Sequence, residues 1–350
     1  MQRCCCTLGA APPLRRLARC HAGAASVRVR WPDDSAARPP RDAHAGGVVP
    51  EAPPPSDADV AALSRFIDSS RRLLVLTGAG ISTESGLSDY RSPNGAYSRG
   101  HKPMTHQEFL SGEPAQRRYW LRSVTGWASW AERSKPNAAH AALAAMQRAG
   151  RLAGGLITQN VDRLHHVAGG EALELHGTTH RVHCLSCGAE SCRHELQSQL
   201  AALNPGVIRA AGAAQQRPDG DAEVAANAHD AFTLPTCGAC GGGPLKPAVV
   251  FFGASLEPAV AARSRELAAA CDAVLVVGSS LAAWSAFRLA EAAAKRGAPV
   301  AILNVGPTRA DSLATLRIEA RAAEALPRAL VHGGLDLPPL PDSHAPRPHA

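Results

Sequence analysis

No uninterrupted apolar run in this sequence reaches the ~18–20 residues that a membrane-spanning helix requires, although 45% of its 350 residues are hydrophobic. Nor does any acidic residue precede Asp33, and lysine is scarce beside arginine. The first absence argues against a membrane protein, and the second sets the N-terminus apart from the rest. A chain of this length can bury one large core or two modest ones.

The net charge is +7, but the excess is unevenly distributed along the chain. Residues 1–55 hold eight arginines against four acids, so about half of the excess lies in this segment. The remainder of the chain is too weakly basic to indicate nucleic-acid binding from charge alone. We therefore expect no nucleic-acid partner.

The N-terminal segment has the composition of a targeting signal rather than of a folded domain. Its first 30 residues are rich in arginine and free of acids, which is typical of an organelle transit peptide, and a proline-rich stretch follows. We predict a transit peptide and linker over residues 1–55 and import into the mitochondrial matrix. If the segment is a disordered tail or a misassigned start, the protein is cytoplasmic. A folded domain over 56–333, opening with a helix capped at Ser56 or Asp57, precedes a disordered tail over 334–350.

The stretch from Leu73 to Arg91 organises the rest of the chain. Its apolar start, residues 73–76, fits a strand that is buried on both faces of a parallel sheet. A glycine turn and a helix start follow, which is the arrangement that holds a dinucleotide pyrophosphate. Thr83 stands where the dehydrogenase fingerprint has its third glycine, so a plain turn is the alternative. The polar loop at 86–91 could close over a bound nucleotide.

Other short apolar runs extend this pattern into a sheet. They lie at 156–158, 173–175, 245–253, 273–277 and 300–303. Pro247 restricts the third run to a sheet edge or a strand start, where an extended peptide could pair with it. Polar or small side chains follow the other runs, and ligands collect at the carboxyl ends of parallel strands. The sequence therefore predicts an α/β fold, a Rossmann-like parallel sheet with helices on both faces.

Four of the ten cysteines form two C-x-x-C pairs, Cys184 with Cys187 and Cys237 with Cys240. Two such pairs are typical of a closed four-thiolate zinc site, which leaves no open position for catalysis. We predict a structural zinc module at about 180–243, with a mobile surface loop in its 204–230 segment. A free zinc ribbon that binds nucleic acid is the alternative, but it does not explain the glycine turn.

A helical module is predicted at about 104–150. Within it, Tyr119 and Arg122 are spaced i, i+3 and share one helix face. A phenol and a guanidinium on one face could together receive a carboxylate. The alternative is a packed aromatic ring beside a surface arginine.

Taken in order, the motifs of this chain resemble those of the sirtuins. They are TGAGIST, GLSDYR, TQNVD, ELHG, the two C-x-x-C pairs, KPAVVFFG, VGSS and LNVG, which run from about Leu73 to Leu330. The segments at 92–109 and 116–122 look most like the class II branch, which includes mitochondrial and plant members. The resemblance implies a sirtuin-type catalytic domain that removes acyl groups from protein lysines, consumes NAD and releases nicotinamide and O-acyl-ADP-ribose.

The resemblance also implies roles for individual residues. His176 matches the catalytic base and Asn160 matches a catalytic residue at the reacting ribose. The positions that match the NAD site are Gly78, Ala79, Gly80, Ser82, Glu84, Asp89, Tyr90, Arg91, Gln159, Asn160, Val161, Asp162, Gly278, Ser279, Ser280, Asn304, Val305, Gly306 and Ala322. Val250 and Gly253 match backbone positions that clamp the acyl-lysine peptide. Tyr119 and Arg122 resemble the pair that class II desuccinylases use for acidic acyl groups.

The implied chemistry is compatible with these residue types. The acyl oxygen attacks the ribose carbon as nicotinamide leaves, and His176 then takes a proton from a ribose hydroxyl. A neutral histidine suits this task because its reference pKa of ~6.5 lies near the working pH.

Other functions share parts of this pattern. Protein mono-ADP-ribosyl transfer or lipoamidase activity would use the same NAD site. A dehydrogenase would need a site for a hydride-accepting substrate, and a zinc-ribbon interaction module would consume no NAD. We expect a monomer with one structural zinc ion, acylated proteins as substrates, and neither a membrane nor a nucleic-acid partner.

Overall fold

The computed structural model describes residues 48–92, 95–97, 102–211 and 229–337. Its α-helices are α1 (Asp57–Asp68), α2 (His106–Leu110), α3 (Glu113–Arg133), α4 (Ala138–Arg148), α5 (Leu164–Val167), α6 (Arg193–Leu203), α7 (Pro205–Ala211), α8 (Pro258–Ala270), α9 (Trp284–Lys295) and α10 (Ala322–His332). Its strands are β1 (Leu73–Thr77), β2 (Leu156–Thr158), β3 (Leu173–Glu174), β4 (Gly177–Cys184), β5 (Glu190–Cys192), β6 (Leu245–Val249), β7 (Ala273–Val277), β8 (Val300–Leu303) and β9 (Leu316–Ile318). Among these helices none is long and apolar enough to span a membrane.

Six parallel strands form the main sheet, in the order β3-β2-β1-β7-β8-β9. At its centre β1 and β7 pair in register, from Leu73 opposite Ala273 to Thr77 opposite Val277. Every residue of these two strands is buried, as expected for continuous apolar runs in a sheet covered on both faces. The predicted Rossmann-like α/β fold is confirmed.

Alternate residues of β1 contribute to two separate cores. Leu73 and Val75 pack with residues of α1, α4 and α10, whereas Leu74 and Leu76 pack with residues of α8 and α9. This follows from the strand geometry, which points successive side chains to opposite faces. The predicted start of α1 is also confirmed, because the Ser56 hydroxyl accepts a hydrogen bond from the Asp59 N–H.

The strand order creates a switch point at the carboxyl end of the sheet. From β1 the chain crosses to β2 on one side, and it later returns to β7 on the other side. In open α/β sheets the crevice beside such a reversal is where ligands bind. We therefore expect the binding site to lie at the turns that follow β1, β2 and β7.

A second, three-stranded antiparallel sheet has the order β5-β4-β6. Within it Pro247 of β6 lies opposite Val182 of β4. The prediction of an edge strand is confirmed for Leu245–Val249, but residues 250–253 lie outside the strand, and its assignment to the parallel sheet is wrong. A short apolar strand carries no local signal of its partner, because that partner is distant in the chain.

Two local segments gain detail from the structure. The helix predicted after the glycine turn is a 3-10 helix over Ala79–Ser85, and Gly86 ends it with a φ of 84°. The segment predicted to include a mobile loop contains α7 at Pro205–Ala211, a helix that tolerates proline at its first position. The rest of that segment up to 228, the proposed transit peptide up to residue 47 and the tail from 338 lie outside the described residues.

Candidate active site

The turns after β1 and β7 meet at the switch point. The Gly80 N–H donates to the Gly278 carbonyl oxygen at 2.8 Å. A Cβ added to Gly80 would lie 2.9 Å from that same oxygen, and Gly278 itself has a φ of 57°. Both positions therefore require glycine, one for close approach and the other for a left-handed backbone. The predicted residues 78–80 and 278–280 are thus brought together.

A chain of polar groups crosses the cleft from β2 to the 3-10 helix. The Ser82 hydroxyl donates to Asp162 Oδ2 at 2.7 Å and accepts from Asn160 Nδ2 at 3.0 Å. Burial raises the pKa of Asp162, and hydrogen bonds from the Leu164 N–H and Ser82 oppose that rise. The network fixes the side-chain amide of Asn160, because it donates to Ser82 Oγ and also hydrogen-bonds to the Asp162 carboxylate. Asn160, Ser82 and Asp162 are therefore in mutual contact, directly or through one hydroxyl.

Gln159 joins the two sides of the cleft. Its side-chain Nε2 donates to Ser279 Oγ at 2.7 Å, and its backbone carbonyl oxygen lies 3.2 Å from His176 Nδ1. Because a carbonyl oxygen can only accept, Nδ1 carries the proton of the neutral ring and Nε2 is the basic nitrogen. Burial lowers the pKa of His176. The ring is consequently neutral near pH 7 and able to accept a proton.

A cavity lies between these turns and the end of β8. The residues that line it are Pro50, Gly80, Thr83, Glu84, Asp89, Gly278, Leu303, Asn304, Val305, Ala320, Arg321 and Ala322. Glu84 accepts a hydrogen bond from the Ala323 N–H at 3.1 Å, and burial raises the pKa of its carboxyl group. Asn304 turns inward, since its Nδ2 donates to the carbonyls of Val305 and Gly306 at 2.8 and 3.0 Å. Asn304 therefore stabilises the loop that follows β8, which forms part of the cavity wall.

The polar loop that begins at Gly86 is folded upon itself. Asp89 Oδ1 accepts hydrogen bonds from the backbone N–H groups of Arg91 and Ser92 at 3.0 and 2.9 Å. The Arg91 guanidinium lies 5.1 Å from the centre of the Tyr97 ring, which also contacts Tyr90. Asp89 lines the cavity, whereas Tyr90 and Arg91 are not among its lining residues.

The segment after β6 runs beside His176. The Val250 N–H donates to the His176 carbonyl oxygen at 2.9 Å. Gly253 has a φ of 82°, and a Cβ there would lie 2.8 Å from Gln107 Oε1. The two predicted peptide-binding positions are therefore held by the turn that carries His176 on one side and by α2 on the other.

Tyr119 is part of a packed aromatic group. Its ring is 7% exposed and lies 5.6 Å from the Phe109 ring and 5.2 Å from the Phe251 ring, between centroids. One helical turn later on α3, the Nε and Nη2 atoms of Arg122 are shielded from solvent. Because Phe251 follows Val250 in the chain, this aromatic group lies next to the predicted peptide-binding segment. The Tyr119 ring is also part of the hydrophobic core.

The four predicted cysteines converge at the end of the small sheet. Their Sγ atoms all lie within 4.8 Å of one another, with Cys184–Cys240 and Cys187–Cys237 separations of 3.8 Å. A tetrahedron with Zn–S bonds of about 2.3 Å has sulfur–sulfur edges of about 3.8 Å. The four thiols therefore fit one zinc ion with no position left for water.

Comparison with known proteins identifies the family. The model of the Sir2 family matches residues 78–285, which is more than half of the chain. The chain belongs to the Sir2 family. It is 47% identical over 317 residues to an NAD-dependent protein deacylase, SRT2, of Arabidopsis thaliana, covering 86% of this chain and 84% of the relative. It is 43% identical over 305 residues to the human mitochondrial NAD-dependent protein lipoamidase sirtuin-4, covering 86% and 95%.

Solved Sir2 structures have the same fold. One, described under the mechanism and regulation of Sir2 enzymes, is 29% identical with a TM-score of 0.62, covering 80% of this chain and 99% of the other. Another, a Sir2 protein bound to a propionylated peptide, is 26% identical with a TM-score of 0.61, covering 79% and 98%. The family assignment therefore rests on both sequence and architecture.

Most of the predicted site residues lie at the carboxyl edge of the parallel sheet. A few direct their backbone carbonyls to other parts of the protein. Val161 directs its carbonyl to Thr179, and Ser280 directs its carbonyl to the Arg309 N–H. Sequence reasoning missed Pro50, which lines the cavity, and Ser285, which contacts His176. Neither carries a local signal, since one lies in a proline-rich stretch and the other is an ordinary helical serine.

Proposed function

We infer that this Sir2-family protein removes acyl groups from lysine side chains of proteins, consumes NAD, and releases nicotinamide and O-acyl-ADP-ribose. The observation that carries this inference is the neutral, half-buried His176. Its ring is fixed by the Gln159 carbonyl at the switch point, and its own carbonyl accepts from Val250 in the segment that would hold a peptide. In this proposal the base lies between the turns that would hold the dinucleotide and the segment that would hold the acylated peptide.

NAD, when bound, supplies an electrophilic ribose carbon and nicotinamide as the leaving group. In this proposal the glycine turns at 78–80 and 278–280 hold the pyrophosphate, since both offer close backbone approach. Asn160 and Asp162, joined through Ser82, orient the reacting ribose. His176 Nε2 takes the proton from a ribose hydroxyl. Glu84, Asn304, Val305 and Ala322 surround the adenosine end, as their place around the cavity supports.

Product analysis tests this function directly. We expect mass spectrometry to detect nicotinamide, O-acyl-ADP-ribose and free lysine peptide in equal amounts when NAD and an acylated peptide are supplied. Transfer of ADP-ribose to the protein or peptide would instead identify a mono-ADP-ribosyltransferase that uses the same site. Release of nicotinamide without any loss of acyl group from a panel of acetyl, succinyl, glutaryl and lipoyl peptides would contradict the proposal.

For the acyl group, we propose that Tyr119 and Arg122 receive a carboxylate. The buried Nε and Nη2 of Arg122 support this, because a guanidinium shielded from water pairs strongly with a carboxylate. Such a bond contributes about 1.5–3 kcal/mol, so glutaryl- or succinyl-lysine should be favoured over acetyl-lysine by roughly ten- to a hundredfold in kcat/KM. The packing of Tyr119 among Phe109 and Phe251 favours the opposing hypothesis of a neutral or lipoyl-sized acyl group.

Two variants separate these hypotheses. Arg122→Met should erase the preference for acidic acyl groups while sparing acetyl-lysine activity. Arg118→Met, one turn earlier on α3 and paired with Glu108, is the matched control and should leave the preference unchanged. Equal wild-type kcat/KM values for acetyl, glutaryl and lipoyl peptides would eliminate the carboxylate pocket.

We also propose that the protein works as a monomer in the mitochondrial matrix. The arginine-rich, acid-free composition of the first 30 residues supports import, and relatives named as mitochondrial are consistent with it. A fusion of residues 1–55 to a fluorescent reporter should enter mitochondria. A reporter that stays in the cytosol would favour the cytoplasmic alternative.

A further inference from the structure

The side of the His176 ring opposite Gln159 is occupied by a serine from α9. Ser285 Oγ lies 2.8 Å from His176 Nε2, while the Gln159 carbonyl oxygen lies 3.2 Å from Nδ1. Both ring nitrogens are therefore hydrogen-bonded. Because the carbonyl fixes the proton on Nδ1, Nε2 must accept, and the Ser285 hydroxyl must be the donor.

Among the described residues, the recorded partner of the Ser285 hydroxyl is His176. Ser285 is the second residue of α9, whose cap residue is Ala283, and no side chain caps this helix. The residue is half-buried, and its Oγ faces the histidine rather than a helix N–H group. Because Ser285 does not occupy the cap position, its hydroxyl is available to His176 Nε2.

We infer that Ser285 is a positioning residue that holds the basic nitrogen of His176 toward the cleft and keeps the ring in its Nδ1-protonated form. This inference rests on the proposed role of His176 as base. In the free enzyme the serine hydroxyl stands where a ribose hydroxyl would meet Nε2. It yields that position when the substrate hydroxyl arrives, so no bond is made or broken by Ser285 itself.

The electrostatic surroundings support a hydrogen-bonding role rather than an ionic one. The pKa of His176 is lowered by burial and raised slightly by the Gln159 carbonyl. Two acids of the neighbouring segments have other partners, because Glu174 faces His166 and Asp162 accepts a hydrogen bond from Ser82. On α9, Arg288 lies near the Trp284 ring. A hydrogen bond donated to the neutral ring favours the neutral form, so its loss should raise the pKa of His176.

Ser285→Ala tests the inference. We expect kcat/KM for the acylated peptide to fall about three- to tenfold, because the His176 ring is no longer held in one orientation before the substrate arrives, while NAD affinity by calorimetry changes less than twofold. In a plot of kcat/KM against pH, the acidic limb follows the pKa of His176. We expect this limb to move to higher pH by about a few tenths of a unit to one unit. Ser285→Thr, which keeps the hydroxyl, should restore most of the rate and the original limb.

A matched control distinguishes positioning from general damage. Ser264→Ala removes a serine hydroxyl that bonds to the Ala261 carbonyl within α8, and it should change neither the rate nor the acidic limb. An acidic limb unmoved in Ser285→Ala, or a rate equal to or above that of wild type, would overturn the inference. If His176→Ala itself kept full activity, the proposed base would be wrong, and this is a separate outcome from failure of Ser285 alone.

Discussion

The parallel sheet and the small antiparallel sheet are stabilised in different ways. In the parallel sheet, β1 and β7 are buried along their whole length and lie between two apolar clusters. In the small sheet, β5 is mostly exposed, and β4 combines buried with partly buried residues and one exposed residue, Arg181. Its apolar residues belong to one cluster that also needs Phe109 and Trp120 from the helical module. The first sheet is covered by helices on both faces, whereas the second shares a single apolar cluster with the helical module, and we expect it to depend on a metal held by the four cysteines.

We therefore expect the two sheets to differ in role: the small sheet binds a structural metal, and the parallel sheet carries the catalytic residues. A small unit that cannot bury enough apolar surface commonly relies on a metal, and a four-thiolate site is closed to substrate. The residues proposed for catalysis lie at the edge of the parallel sheet instead. Loss of the metal should therefore damage folding, whereas changes at the sheet edge should damage turnover and leave folding intact.

Removal of one zinc ligand should have the largest effect. Cys237→Ser leaves three thiolates, and structural zinc binding is worth about 10–16 kcal/mol in small metal-dependent domains. We expect zinc content by mass spectrometry to fall from one ion per chain towards zero, and hydrogen exchange of β4 to approach that of an unfolded segment.

The control for this variant lies in the same module. Cys192→Ser alters a cysteine of β5 that is not part of the four-thiol cluster, so it should retain the zinc ion and normal exchange. A Cys237→Ser protein with one bound zinc ion and an unchanged melting temperature would show that the small sheet does not depend on the metal.

Loss of the proposed base should abolish turnover without affecting either sheet. His176→Ala is expected to lower deacylation by roughly 10²–10⁴-fold, the usual contribution of a general base, with NAD affinity and zinc content retained. His183→Ala, on β4 of the small sheet, is the matched control and should keep its activity. Product formation by His176→Ala within twofold of wild type would remove this residue from the mechanism.

Truncation of a core side chain in the parallel sheet should destabilise the protein without releasing the zinc ion. Leu74 is fully buried among residues of α8 and α9, so Leu74→Ala is expected to reduce the free energy of unfolding by about 2–5 kcal/mol. Leu110→Ala, at an exposed position on α2, should change it by about 0.5 kcal/mol or less. Denaturant unfolding monitors stability, and zinc analysis of the folded protein checks the module. Zinc loss from folded Leu74→Ala would mean that the two sheets are not independent.

The sequence predicts these two regions unequally. The apolar runs of β1, β2, β7 and β8 identify the parallel sheet, because strands buried on both faces are continuously apolar. Conversely, the sequence analysis does not predict β9, which is three residues long, or α10, which contains Pro327 in its interior. The pairing of β6 with β4 depends on residues far apart in the chain, such as Pro247 and Val182, which a local pattern does not contain.

The candidate site divides in the same way. The glycine turns and the two C-x-x-C pairs are local sequence patterns, and each is typical of one kind of site: a dinucleotide phosphate site for the turns and a zinc site for the cysteines. The contact of Ser285 with His176 and the position of Pro50 at the cavity exist only after folding, because they join residues from separate elements. Local motifs could therefore identify the reacting groups, but not the residues that orient them.

The smallest predicted effect concerns pH. His140 of α4 is fully buried beside the parallel sheet, and burial lowers its pKa to about 3. Because the folded pKa lies below the unfolded value of ~6.5, the stability from this residue is complete above pH ~6.5 and is lost as pH falls toward about 3. Between pH 7.5 and 5.5, this linkage should reduce the free energy of unfolding by about 1 kcal/mol, measured with urea.

Substitution identifies the part of this slope that belongs to His140. His140→Leu cannot be protonated, so its unfolding free energy should fall by about 1 kcal/mol less than that of wild type over the same pH interval. His332→Gln, at the exposed end of α10, is the control and should keep the full slope. His165 and His180 also have pKa values lowered by burial, so part of the slope should persist in His140→Leu. A slope identical to that of wild type would mean that His140 is not held neutral by the fold. The pH dependence would then have to arise from other groups, including the four thiolates of the small sheet.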